Sequence, residues 1–290
     1  MREGKWSVAP MLLLLACATQ ACAVADIRPE PLEASAELAP AEVERGRALL
    51  EQLPQTHGGG QAWRAHRNAR LTFTDTWPGW AGRNFVMPWD ENGQRMVSTI
   101  ELGQDNSRLE LPDGTTWGIQ NWVTYEVDEG GVSFAQNKNA WFWLPTIEYF
   151  FEAPFRLREG QHVAWAGERE LDGKTYDLIY ITWGSVAPSA EIDQYVAWIE
   201  RGTGRLGLLE YTVRDMFKFV TGTAKYKDYA TIEGILVPQT IEILSGGPDG
   251  QILHVMAFDK IDFGVEVPVG YFVPDRMRSA PKQNKGKHGE

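Results

Sequence analysis

The sequence predicts a mainly β (α+β) protein: a large curved antiparallel sheet forming an incomplete β-barrel, with its concavity covered by N-terminal and central helices. Three observations predict it. Apolar residues recur with period two through most of Ala69–Phe263, in short runs separated by tight-turn pairs such as Asn92-Gly93 and Asp172-Gly173. Roughly ten or more such runs in succession must pair antiparallel, and so wide a sheet curls because strand twist accumulates. One stretch breaks the period. Ala140–Leu157 reads A-W-F-W-L-P-T-I-E-Y-F-F-E-A-P-F-R-L. There Ile147, Phe150 and Phe151 fall at helical spacing on one face, and Glu148 and Glu152 on another.

From the N-terminus, residues 1–25 read as an export signal. Arg2 and Lys5 form a positive start, and Ser7–Ala16 is an apolar run too short to span a bilayer permanently. Two processing sites compete. Leu14-Leu15-Ala16-Cys17 has the form of a lipobox, which makes Cys17 the lipidated first residue and membrane anchor. Ala23-Val24-Ala25 is an A-x-A site, which releases a soluble chain. Residues 26–40, rich in Pro, Glu and Ala, read as a linker.

Residues 41–274 form the domain. Ala41–Leu53 has an apolar helical face and is ended by Pro54, and a second short helix around Gln61–His66 is anchored by Trp63. Trp77–Trp89 is an irregular Trp/Pro/Gly-rich insert. Strands follow over Arg95–Leu102, Ser107–Leu111, Thr116–Ile119 and Val123–Val127. In the aromatic stretch, Pro145 is placed in the first helical turn and Pro154 ends a short helix of about two turns. Beyond it a meander runs from His162 to Phe263, with a kink through Gly234–Pro238. Residues 275–290 are polar and basic, without apolar period, and are expected to be a disordered tail.

The chain has 290 residues, 43% hydrophobic and 23% charged, with twelve Trp and a formal net charge of −11. That acidity argues against a nucleic-acid partner, because phosphate contacts need clustered Lys and Arg. The two cysteines, Cys17 and Cys22, both lie in the export segment, so the domain has no disulfide, thiol nucleophile or Cys metal site. Five scattered histidines show no i, i+4 pairing, and no metal or other cofactor is expected. Gly202–Gly207 has the letters of a dinucleotide fingerprint, but β pattern follows it where a helix is needed, so it reads as a hairpin turn. Asp262-Phe263-Gly264 has no kinase context. Carboxylate pairs such as Asp75 with Asp90, or Glu126 with Asp128, leave a hydrolase in the Trp-rich cleft as a weak alternative. His57 is read as a turn or capping contact.

The order of several short motifs resembles the LolA/LolB-like carriers of lipoproteins and lipids in the bacterial envelope. These motifs are His57-Gly58-Gly59 with Trp63, Pro154-Phe155-Arg156-Leu157, Tyr176-Asp177-Leu178, Trp198-Ile199 with Thr203-Gly204-Arg205-Leu206, Tyr226-Lys227-Asp228-Tyr229 and Gly234–Pro238. The resemblance covers roughly Ala41–Pro274 and implies an incomplete barrel with helices lidding an apolar cavity, acyl-chain cargo and no catalytic residues. It departs from the family in length and in the Trp77–Trp89 insert. The expectation is therefore a periplasmic, monomeric, non-enzymatic lipoprotein of the outer membrane that binds a hydrophobic small molecule or lipid acyl chain. Its expected ligand contacts are Trp141, Phe142, Trp143, Ile147, Phe150, Phe151, Tyr180 and Trp198. The alternative is an envelope structural or interaction protein whose barrel is filled by those rings, with no ligand.

Overall fold

The computed structural model describes residues 24–33, 37–215 and 217–273. The helices are α1 (Glu30–Glu33), α2 (Pro40–Thr56), α3 (Gly60–Ala65), α4 (Trp80–Phe85) and α5 (Lys138–Arg156), the last running into a 3₁₀ turn, Leu157–Glu159. The first six strands are β1 (Asn68–Thr76), β2 (Arg95–Glu101), β3 (Asn106–Glu110), β4 (Thr116–Gln120), β5 (Val123–Asp128) and β6 (Gly131–Ser133). After α5 come β7 (His162–Leu171), β8 (Lys174–Thr182), β9 (Gln194–Glu200), β10 (Leu206–Thr212), β11 (Thr221–Ile232), β12 (Ile235–Ser245) and β13 (Ile252–Phe263).

All thirteen strands form one antiparallel sheet in the order β6-β5-β4-β3-β2-β1-β13-β12-β11-β10-β9-β8-β7. Two meanders are stitched together at β1–β13, where Ala69 pairs with Phe263 and Thr76 with Val255. The sheet is not closed: its edges are β6 and β7, the two strands that α5 connects. Alternation along the strands gives two apolar faces. The concave face carries Phe73, Ile100, Ile119, Ile181, Ala197 and Met256, packed with α2, α3 and α5. The opposite face of β7–β10 carries Ala164, Leu178, Tyr180 and Trp198, packed beneath Leu32 with Ile27 and Leu38. Residues expected as a linker are thus part of the fold, with Leu32 only 1% exposed. The export segment up to residue 23 and the tail 275–290 lie outside the described residues.

Several expected boundaries are corrected, each for an identifiable reason. The central helix starts at Lys138, because Asn137 caps it: its side-chain oxygen accepts from the Ala140 N–H at 3.0 Å. Pro145 is interior, and Trp141–Trp143 are helical. The helix also passes through Pro154. That ring removes the donor due to the Phe150 carbonyl, and the Tyr226 hydroxyl on β11 donates to that carbonyl instead, at 3.2 Å. Helix α2 likewise continues past Pro54 to Thr56. The insert contains a helical turn and a half, α4, where loop was expected. Pro238 sits inside β12 rather than in a kink, next to a break in the ladder at Asp228 (φ 52°).

Candidate functional site: the helix-filled concavity

Helix α5 lies in the concavity and fills it with rings. Phe151, 1% exposed, meets Phe258 on β13 at 5.7 Å and Trp63 at 5.8 Å between centroids. Phe150 lies 4.9 Å from Tyr211 on β10, and Phe155 stacks on Trp63 at 4.0 Å with 13° between planes. Ile147 is buried in the same cluster. Trp143 is buried further along the helix, with Phe142 edge-on to it at 5.2 Å. Trp141 is half-buried against Trp122. Six of the eight expected ligand contacts are therefore on α5, and Trp143, Ile147, Phe150 and Phe151 share its buried face.

Tyr180 and Trp198 do not join them. They point to the other side of the sheet, under the N-terminal segment. Their polar atoms are satisfied there: the Tyr180 hydroxyl donates to the Val186 carbonyl at 2.9 Å, and the Trp198 indole donates to Glu210 at 2.6 Å.

Trp143 belongs to a buried cluster that sequence reasoning missed. Asp75, at the end of β1, is 1% exposed and gathers three donors. The Trp77 indole reaches one oxygen at 2.8 Å and the Trp89 indole reaches the same oxygen at 2.6 Å. His254 Nδ1 lies 2.7 Å from the other oxygen. The His254 ring stacks on Trp77 at 4.3 Å and stands edge-on to Trp143 at 5.5 Å, while Trp89 stacks on Trp117. Asp75 thus pairs with His254 and the indoles, not with Asp90, and its lone pairs are committed to holding rings in place. The insert Trp77–Trp89 supplies two of those rings.

A polar seam runs under the other half of α5. Glu148 and Glu152, read from the sequence as a second helical face, are both fully buried. Glu152 accepts from the Gly103 N–H at 2.7 Å and lies 3.4 Å from Arg156, which pairs with Asp105 at 3.1 Å. Neither Glu148 oxygen nor the Ser107 hydroxyl makes a well-aligned hydrogen bond among the described residues, although Ser107 lies near enough to favour the Glu148 charge. Burial pushes the Glu152 carboxyl up to about 7 against the pull of Arg156. Burial, and then the neighbouring Glu152 charge, push Glu148 well above the usual carboxylate range. Glu148 is thereby biased toward its neutral acid form, beside a second carboxyl that burial has also pushed up.

His57 is a long-range clip rather than the local turn or capping contact expected of it. It is fully buried at the end of α2, with Nδ1 2.8 Å from the Leu236 carbonyl, and Nε2 accepts from the Leu206 N–H at 3.5 Å. Burial lowers its pKa to about 4, so it is neutral. It clips the α2–α3 corner to β10 and β12. Gly58 beside it has φ 102°, and a Cβ there would collide with the Gly234 carbonyl.

A polar surface hollow of about 360 Å³ lies beside the start of α5, lined by Glu126, Ser133 and residues 135–139. None of the expected ligand contacts lines it. Within the concavity, α5 occupies the space that the curved sheet encloses.

This arrangement has structural counterparts. A DUF1329 family protein from Desulfovibrio piger superposes with a TM-score of 0.52 at 12% identity, over 80% of this chain and 97% of that one. The chain shares that fold, a mainly β open antiparallel sheet with helices in its concavity. A putative outer membrane lipoprotein-sorting protein domain from Vibrio parahaemolyticus gives 0.50 at 12% identity, over 81% and 99%. A LolA superfamily protein from Nitrosomonas europaea gives 0.48 at 11% identity, over 80% and 98%. No family model and no curated protein matches the sequence. The half-barrel here carries an insert whose Trp77 and Trp89 flank α5 through Trp143.

Proposed function

We propose that this chain is a cell-envelope lipoprotein, anchored through Cys17 and periplasmic, that takes an acyl chain into the concavity now occupied by α5. The observation that carries the reading is the placement of α5. It links the two unpaired edge strands β6 and β7 in the chain, with its ring-bearing face on an apolar, concave sheet. Swinging it aside opens that face without breaking the β-ladder, and the ligand's apolar area then replaces the helix's at ~25 cal/mol per Å². The polar seam supports a movable helix, because buried carboxyls without full partners cost stability in the closed state. The function is burial rather than bond-making, so no residue is assigned a catalytic role.

Processing at Cys17 is supported by the first described residues. The Ala25 N–H donates to the Lys218 carbonyl at 2.9 Å, and its own carbonyl accepts from Arg214. A chain cut after Ala25 loses Ala25 and both bonds. The Vibrio parahaemolyticus counterpart, named for outer membrane lipoprotein sorting, agrees with an envelope location.

A second reading has its own support. The closeness of the Trp63–Phe155 stack and the burial of Phe151 suit a permanent plug, in a structural protein with a filled barrel. Native mass spectrometry after mild purification separates the two. Bound lipid, or uptake of a fluorescent fatty acid at one-to-one stoichiometry, upholds the carrier. A clean apo mass with no uptake upholds the plug.

A further inference from the structure

Antiparallel pairing brings one set of loops to the same end of the sheet. Thr76 of β1 pairs with Val255 of β13, Leu244 of β12 with Ile252, Gly222 of β11 with Ser245, and Thr212 of β10 with Thr221. The β1–β2 insert, the β12–β13 turn and the β10–β11 loop therefore share that end. It also carries six of the molecule's exposed large apolar side chains: Trp80, Phe85, Val86, Phe217, Phe219 and Ile252. Single exposed apolar residues need no explanation, but a cluster confined to one end does.

These rings are displayed rather than merely left over. Phe85 is 76% exposed and Trp80 66%, and the two are edge-on at 5.5 Å on α4. The opposite side of α4 is seated by Gly82, whose missing side chain lets the helix lie on Trp77 and Leu253. Phe217 and Phe219 stack at 5.6 Å on the β10–β11 loop. That loop is bonded to the point where the described chain begins, through Ala25 and Lys218. From Ala25 back to Cys17 is a reach of at most about 30 Å. A chain held at Cys17 keeps this end of the sheet close to the bilayer. Exposed charge there is mixed, Arg83 and Lys218 against Asp90, Glu91, Asp215 and Asp249, so attraction to lipid must come from the rings.

We propose that this aromatic rim is a docking surface for a lipid bilayer, with Trp80, Phe85, Phe217 and Phe219 inserted at the headgroup boundary. Aromatic rings favour that depth because one edge is apolar and the other wet. The docked end is also the end at which Trp143 and the Asp75 cluster lie, so lipid would meet the concavity there. The orientation rests on anchoring at Cys17, whereas insertion of the rim does not.

The test uses the mature protein with vesicles of phosphatidylethanolamine and phosphatidylglycerol, some brominated on the acyl chain to quench nearby tryptophan. The proposal expects quenching that falls in Trp80→Phe. In the unacylated Cys17→Ser protein it expects vesicle partitioning to drop about tenfold or more on adding Phe217→Ser and Phe219→Ser, with unchanged melting and little response to salt. Quenching equal in native protein and Trp80→Phe overturns it. So does a rim that drives self-association, seen as dimers lost in the double Ser variant. A Cys17→Ser protein that leaves the membrane fraction yet is still quenched by added vesicles keeps the rim and isolates the anchor. A native chain without acylated Cys17 defeats the anchoring alone.

Discussion

Glu152→Gln probes the seam beneath α5, and its effect can be worked from the structure. Glu152 is fully buried and its carboxyl titrates at about 7, against 4.5 in an unfolded chain. The folded state therefore holds a proton through a window in which the unfolded state has lost it. Stability contributed by the protonated acid is complete below about 4.5, declines as pH rises, and is gone above about 7. A gap of about 2.5 units at 1.36 kcal/mol each makes the total about 3 kcal/mol. Gln is neutral throughout and can still accept from the Gly103 N–H, while Arg156 keeps Asp105. His57 works in the opposite sense in an overlapping window. Its pKa falls from 6.5 to about 4, so its contribution is complete above 6.5 and lost as pH falls through 4. The two cancel in part in the native protein, so the useful quantity is the difference between variant and native. Urea unfolding followed by tryptophan fluorescence at about pH 5 and about pH 8 gives it. The variant should gain about 2–3 kcal/mol relative to native protein on going to the higher pH. A difference that does not change with pH would refute the buried-acid reasoning.

Other perturbations give equally definite outcomes. Phe151→Ala should lower stability by about 3–5 kcal/mol in thermal or urea melts, because its ring is enclosed by Trp63, Phe258 and Phe263. Trp143→Ala should cost about 1–2 kcal/mol of fatty-acid affinity in a fluorescent titration if it lines the mouth, and none if the helix is a fixed plug. Asp75→Ala should destabilise by roughly 3–5 kcal/mol, since two indoles and His254 lose a buried acceptor at once; full stability in denaturant would show the cluster to be idle. Cys17→Ser should move the protein from the detergent phase to the soluble fraction, and a native N-terminus found at Asp26 would contradict lipidation.

The sheet was legible because its punctuation is local. Asp172 and Gly173 both take positive φ in the β7–β8 turn, as an Asp-Gly pair between alternating runs requires. The central helix was legible in its face but not its ends. Pro145 and Pro154 looked like boundaries, and only the Tyr226 hydroxyl, distant in sequence, shows how the second is tolerated; the Asn137 cap was the available signal for the true start. Alternation assigned Tyr180 and Trp198 to one face without saying which face is concave. Both faces of β8 and β9 are buried, so burial-type residues occur on each, and the covering segment on the outside read as linker. Asp75 and His254 are 179 residues apart, and nothing at either position announces the other. Glu148 and Glu152 carry the opposite lesson: acidic residues on a helix normally mark solvent, and here they mark the least satisfied part of the interior.

The movable helix is tested most directly by amide hydrogen exchange across residues 138–156, with and without saturating palmitate. If α5 leaves the concavity for an acyl chain, its amides should exchange at least about tenfold faster in the palmitate-bound protein while β1 and β13 stay protected. Palmitate bound with α5 protection unchanged, or no palmitate bound at all, would contradict it.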